Sequence, residues 1–377
     1  MAVVIIGVRP GRSLGLLLVV LLVIFFGLLR PQFSVEYRRE LVLSGPWGDG
    51  PGAFGRAKAR DGGLWGPRFF DVSAHSIVVA DSVNHRLQVF DLQGKLTHTI
   101  PLEMPGGARF FAGDVVFYRG QVAACDVQNG LILQWDGSKW EVLARLQPPP
   151  GTATVIQEGL AVDRTGYLYY AASFVGDLES AWQLWRRGPG STPELVTAFR
   201  SQAGNPDVAT GIARLVPELS GLVLGFAVSP GGQLYLHVAG TGGAASVLLA
   251  FDLASGRNLS VTELPKTPAV VSQLVGVDGY SRSYLAQIQE GQLSSVVVYG
   301  TRGDPMGLVR PPAGTGRGLV SVRIDERGRI YVLTQDEEGV TLDRHSPQRV
   351  LEVVPRWKKP QAWVPRDTDG EGVCAKL

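Results

Sequence analysis

Two short phrases in the chain have the spacing of known chemical devices. Gly11-Arg12-Ser13-Leu14-Gly15 matches the G-x-S-x-G elbow that presents a nucleophilic serine, but an apolar run follows it where a strand-to-helix turn is needed. Gly50-Pro51-Gly52-Ala53-Phe54-Gly55 matches the G-x-G-x-x-G phosphate cradle, yet no helix pattern follows to supply the anion-binding N-terminus. The five histidines (75, 85, 98, 237 and 345) show no paired zinc spacing. Cys125 lies in the apolar run Val122-Ala123-Ala124-Cys125 and reads as a small buried hydrophobe, while Cys374 lies in a polar tail. Their spacing does not require a disulfide. The remaining polar residues with a chemical claim recur just ahead of apolar strand patterns: Arg68, Arg109, Glu158, Gln273 and Arg317, with Leu224 at the corresponding place in a further copy.

Those strand patterns are the main feature of the chain. An apolar run of about five residues, a polar turn and a second apolar run recur six times, with second runs centred on residues 78, 123, 169, 235, 284 and 331. The steps are 45, 46, 66, 49 and 47 residues. A strand-bearing repeat of about 40–50 residues marks a β-propeller. The long step predicts an insertion between the third and fourth copies, within residues 200–221. Gly 48 and Pro 24 suit a fold of many short strands and tight turns.

Blade one carries the most specific pattern. The glycine-rich entry Gly48 to Gly55 is followed by Phe69-Phe70-Asp71-Val72, Ile77 to Asp81, and Asn84-His85-Arg86-Leu87-Gln88-Val89-Phe90-Asp91 before Gly94. This succession resembles an NHL repeat, and Cys125-Asp126-Val127-Gln128-Asn129 echoes it in blade two. The resemblance implies an all-β, six-bladed propeller of the broad NHL and TolB-like kind over about residues 36–355. In this setting Asp81 and Arg86 are expected to organise a hairpin turn, not a reaction. Either residues 36–43 or residues 349–354 could supply the outer strand of blade six. Residues 356–377 read as a polar C-terminal tail.

Residues 13–29, SLGLLLVVLLVIFFGLL, contain no charge or proline and would span roughly 25 Å as a helix. They predict an uncleaved N-terminal signal anchor over residues 1–30, holding the chain to a cell membrane by a single pass with the propeller outside the cytoplasm. Basic residues flank both ends, so charge counting barely decides the orientation. The formal net charge of +2 comes without a dense basic stripe, and nucleic acid is not expected as a partner.

In a propeller, residues ahead of the innermost strands approach the central funnel. Related six-bladed lactonases hold a divalent metal there with several oxygen ligands. The set Arg68, Arg109, Glu158, Gln273 and Arg317 offers one carboxylate, one amide and three guanidiniums, which suits an anion better than Ca²⁺. The expectation is therefore a monomeric, cofactor-free and non-enzymatic scaffold binding a protein, peptide or glycan. The competing reading is a metal-dependent hydrolase or lyase of the lactonase type, with Glu158 as a ligand joined by Asp163, Asp278 or Asp325.

Overall fold

The computed structural model describes residues 29–58, 64–146, 154–175, 179–202, 219–240, 246–255, 257–264, 270–289, 292–301, 303–310 and 321–355. Six four-stranded antiparallel sheets follow one another along the chain as the blades of a propeller. From the innermost strand outward, blade one comprises Phe70–Val72, Ser76–Asp81, Arg86–Asp91 and Leu96–Pro101. Blade two begins at Ala112–Tyr118, blade three at Thr154–Val162, blade four at Leu219–Val228, blade five at Val270–Val277 and blade six at Ser321–Ile324. A further two-stranded hairpin, Ala57–Lys58 with Leu64–Trp65, precedes blade one.

The alternation of each strand presents one set of side chains to the preceding blade and the other set to the next. The apolar core is accordingly divided into six clusters, each filling one blade interface. Between blades one and two lie Val78, Leu87, Val115 and Trp140, and between blades six and one lie Phe54, Phe70, Tyr331 and Leu342. Cys125 is buried as a free thiol between blades two and three, and burial pushes its pKa up.

The turns between first and second strands repeat one chemical solution. Asp163 Oδ1 accepts the N–H groups of Thr165 and Tyr167, and Asp325 Oδ1 accepts those of Arg327 and Arg329. The residue three places after the aspartate takes a left-handed conformation, Gly328 at φ 77° in blade six and Ser281 at φ 59° in blade five. Asp163, Asp278 and Asp325 are thus turn caps, and Tyr169 and Tyr284 add hydroxyl bonds to the first two.

Blade six is closed by the N-terminal strand Leu29–Pro46, hydrogen-bonded outside Gly339–Pro355. Residues 36–43 are therefore the outer strand, and residues 349–354 simply extend the third strand. Arg39 bonds the buried carboxylate of Asp343 at 3.1 Å, and Arg344 bonds Glu40 at 2.6 Å. Tyr37–Pro347 forms one compact unit, and residues 1–36 with 348–377 group as a second. Of the expected anchor segment only Leu29 and Arg30 fall among the described residues, where they begin a strand. The rest of that anchor, the 203–218 part of the expected insertion and the 356–377 tail lie outside the described residues. Among the described residues no helix is long and apolar enough to cross a membrane.

Candidate active site

Strand register shows which residues share a level around the axis. Opposite Val78, Ala123, Tyr169, Tyr235, Tyr284 and Tyr331 on the second strands stand Asp71, Val116, Ala161, Ala227, Gly276 and Arg323 on the innermost ones. Four of these six positions carry small or apolar residues. The other two, Asp71 and Arg323, carry opposite charges on neighbouring blades one and six.

Asp114, two residues ahead of Val116 in blade two, completes the cluster. Arg323 donates from Nε to the Phe70 carbonyl at 3.0 Å and from Nη2 to Asp114 Oδ1. Asp114 Oδ2 accepts the Leu160 N–H of blade three at 2.8 Å, while its Oδ1 accepts its own blade's Val115 N–H at 2.8 Å. Asp71 Oδ2 accepts the Phe117 N–H of blade two at 2.7 Å. One guanidinium and two carboxylates therefore lace four consecutive blades, six to three, at their inner edges.

Burial pushes the Asp71 pKa up to about 6, because desolvation outweighs the Arg323 charge and the Phe117 and Val72 amides, with Asp114 adding to the rise. Burial also pushes Asp114 up, against the pull of Arg323 and the Leu160 amide. Asp114 is almost fully buried, whereas Asp71 keeps a partly exposed surface. Arg323 is also partly exposed, and its Nη1 meets no hydrogen-bond partner among the described residues. The cluster thus offers a carboxyl that changes charge near neutral pH beside a fixed cation with a spare donor. That combination can take a proton from water and stabilise a developing oxyanion.

Of the five residues expected in the funnel, the structure describes the side chains of Arg68, Arg109 and Gln273 in three different settings. Arg68 stacks over the Trp65 ring at 4.6 Å. Arg109 lies exposed in a small hairpin between blades one and two, where its backbone forms an isolated β-bridge with Glu103, and Gln273 is exposed on the innermost strand of blade five. Glu158 is the unpaired residue of a β-bulge in blade three, as Leu224 is in blade four. The bulges of blades two and five fall at Gly113 and Val275, four residues beyond Arg109 and two beyond Gln273. Arg317 lies outside the described residues.

What was missed had a visible signal. Asp71, Asp114 and Arg323 each put a charge inside the most interior strand of its repeat, where burial is costly unless the charge is paired or used.

A divalent metal does not fit this cluster. Asp71 Oδ2 and both Asp114 oxygens are already engaged, and a guanidinium sits among them. Among the described residues, no group of three or more histidine, cysteine, aspartate or glutamate side chains could hold a metal ion.

No family model and no curated protein matches the chain. Solved structures do. A protein assigned as a gluconolactonase shares 14% identity over 86% of this chain and 96% of its own, with a TM-score of 0.46. A luciferin-regenerating enzyme shares 12% over 82% and 95%, with a TM-score of 0.47. The calcium-binding protein regucalcin from Agrobacterium tumefaciens strain C58 shares 12% over 74% and 88%, also at 0.47. The expectation of a non-enzymatic scaffold is corrected here, because these neighbours include proteins named as enzymes. At such identities the likeness extends to the six-bladed fold and assigns no substrate.

Proposed function

We propose that this propeller is a hydrolase of small carboxylic esters of the lactone class, working at the inner edges of blades six, one and two. The observation that carries this reading is Asp71, a carboxyl with a pKa of about 6 beside the fixed guanidinium of Arg323. Above that pH the Asp71 carboxylate takes a proton from water as the oxygen adds to the ester carbonyl carbon. The carbonyl oxygen gains the negative charge and is met by Arg323, which Asp114 and the Phe70 carbonyl hold in place. When the intermediate collapses, the carbon–oxygen bond to the alcohol breaks and Asp71 returns the proton to the leaving oxygen. Ester and water become a carboxylic acid and an alcohol, joined in one hydroxy acid when the ester is cyclic.

The hydrophobic run at residues 13–29 belongs to the same proposal as an anchor holding the propeller at the outer face of a cell membrane. The NHL assignment is likewise proposed, on the blade-one hairpin. There Asp81 accepts from the Gly55 amide at 2.8 Å and from Arg86 Nε at 2.8 Å, while Arg86 ties down the carbonyls of Asp49, Gly50 and Ala53. These bonds clamp the glycine-rich entry to blade one.

The test is turnover of a panel of lactones and aryl esters by the full-length chain in mild detergent, with acid release followed directly. The wild type is expected to hydrolyse at least one member. Arg323→Gln should lower kcat by about 10²-fold or more, as loss of an oxyanion donor does. A fully active Arg323→Gln protein would remove the proposed role.

A further inference from the structure

The turns between first and second strands all emerge on one face of the propeller, and most of their charged side chains serve the turn itself. Arg282 pairs with Asp278 of its own turn, and Arg329 pairs with Asp325 of its own. Arg164 behaves differently. It stands next to the Asp163 cap in blade three, yet its Nε and Nη2 both reach Glu326 Oε2 of blade six at 2.8 Å. In a ring of six, blades three and six are half a turn apart, so a direct bond between their turns crosses the axis.

Blade five braces this crossing. The Gly279 amide donates to the Glu326 carbonyl at 2.9 Å, and a Cβ at Gly279 would stand 2.7 Å from that oxygen and 3.4 Å from Arg164 Nη2. The turn of blade five therefore packs against the bridge with no space for a side chain at Gly279. Arg323 is three residues from Glu326, and Ala161 is three residues from Arg164, so the bridge lies in the turns just beyond the strand ends that carry Arg323 and Ala161.

We infer that Arg164 captures the anionic group of a small ligand at this axial mouth, and that Glu326 holds the mouth closed until such an anion replaces it. The inference rests on the hydrolase reading for its substrate, which would be an ester carrying a carboxylate or phosphate. The side chains of Arg164 and Glu326 are 61% and 52% exposed. An ion pair so open to water is weak, so a ligand anion can compete with Glu326 for the guanidinium. Once displaced, Glu326 releases the Arg164 guanidinium, and the captured molecule stands at the turn that follows the strand carrying Arg323.

The experiment reads binding and not turnover, so its failure and the failure of the hydrolase reading are distinguishable. Inorganic phosphate and glycolate are titrated separately into the full-length chain at low ionic strength by calorimetry. The series comprises the wild type, Glu326→Gln, Arg164→Gln and the double variant, each checked for an unchanged melting profile. Glu326→Gln is expected to bind at least one anion about fivefold more tightly than the wild type, and the double variant is expected to lose that gain. The anion that gains more identifies the group. Exchanging the charges, Arg164→Glu with Glu326→Arg, rebuilds a bridge with a cation on blade six and is expected to return affinity toward the wild-type value. Equal affinities in wild type and Glu326→Gln would overturn the inference, as would a double variant that keeps the gain.

Discussion

Around the axis, five of the six junctions between neighbouring blades fall into two kinds. From blade six through blades one and two to blade three, the innermost strands are tied by charged side chains bonded to backbone: Arg323 to Phe70, Asp71 to Phe117 and Asp114 to Leu160. From blade four through blade five to blade six, the strands meet through glycine. A Cβ at Gly225 would stand 3.0 Å from the Leu274 carbonyl, and one at Gly276 would stand 2.7 Å from Ile324 Cγ1. Close apolar packing is sufficient to join two blades, as the second arc demonstrates. Burying two carboxylates in the first arc costs desolvation that structure alone does not require. The charged arc is therefore where function is to be sought.

Breaking each arc should have a different cost. The largest effect is expected from Arg323→Leu, which leaves Asp114 buried without its cation and should lower stability by about 3–5 kcal/mol in urea unfolding. Adding Asp114→Asn to that variant should recover part of the loss, since the stranded charge is gone. If the single substitution were neutral, the ion pair would not be holding the charged arc together.

In the apolar arc, Gly276→Ala should cost about 1–3 kcal/mol, because the added methyl meets Ile324 with no room to spare. Thermal unfolding of this variant should show the loss with turnover per folded molecule little changed. A proportionate fall in turnover would mean that the two arcs are not separable.

A smaller effect sharpens the contrast through pH. His237 is fully buried on the second strand of blade four, and neither ring nitrogen has a hydrogen-bond partner among the described residues. Burial drives its pKa down to about 4 from an ordinary 6.5. The unfolded chain therefore binds the extra proton between these values. Stability from this group is complete above about pH 6.5 and is lost progressively as pH falls toward 4, by about 1 kcal/mol at pH 6. His237→Leu should remove that part of the acid sensitivity, as melting temperatures across pH 4 to 7 would reveal. An unchanged slope would place the acid sensitivity elsewhere.

The six-bladed fold was readable in the sequence because a strand–turn–strand phrase with a cap such as Asp163 or Asp325 repeats at a nearly constant step. The role of Asp81 and Arg86 was readable for the same reason, since local turn chemistry is written in adjacent residues. The site was not. Its members belong to three different repeats, and which of them share a level depends on bulges at Gly113, Glu158, Leu224 and Val275. A one-residue bulge leaves almost no trace in composition, yet it moves every later residue to the other face of its strand. Arg109 precedes the innermost strand of blade two, which starts at Ala112, and Gln273 precedes the bulge of its own strand, while Asp71 lies between Phe70 and Val72 in a strand whose pattern reads as core. Ring closure was ambiguous because the strand Gly339–Pro355 runs well past the length a blade needs.

The most direct test of the central claim is the pH dependence of kcat/KM for the best ester, measured from pH 4.5 to 8.5 in the wild type and in Asp71→Asn. The wild-type rate is expected to rise with pH and level off with an apparent pKa of about 6, as the Asp71 carboxyl loses its proton. Asp71→Asn should retain the fold and lose that rise together with nearly all of the activity. An Asp71→Asn protein that turns over at the wild-type rate with the same inflection would contradict the account and move the chemistry away from the axis.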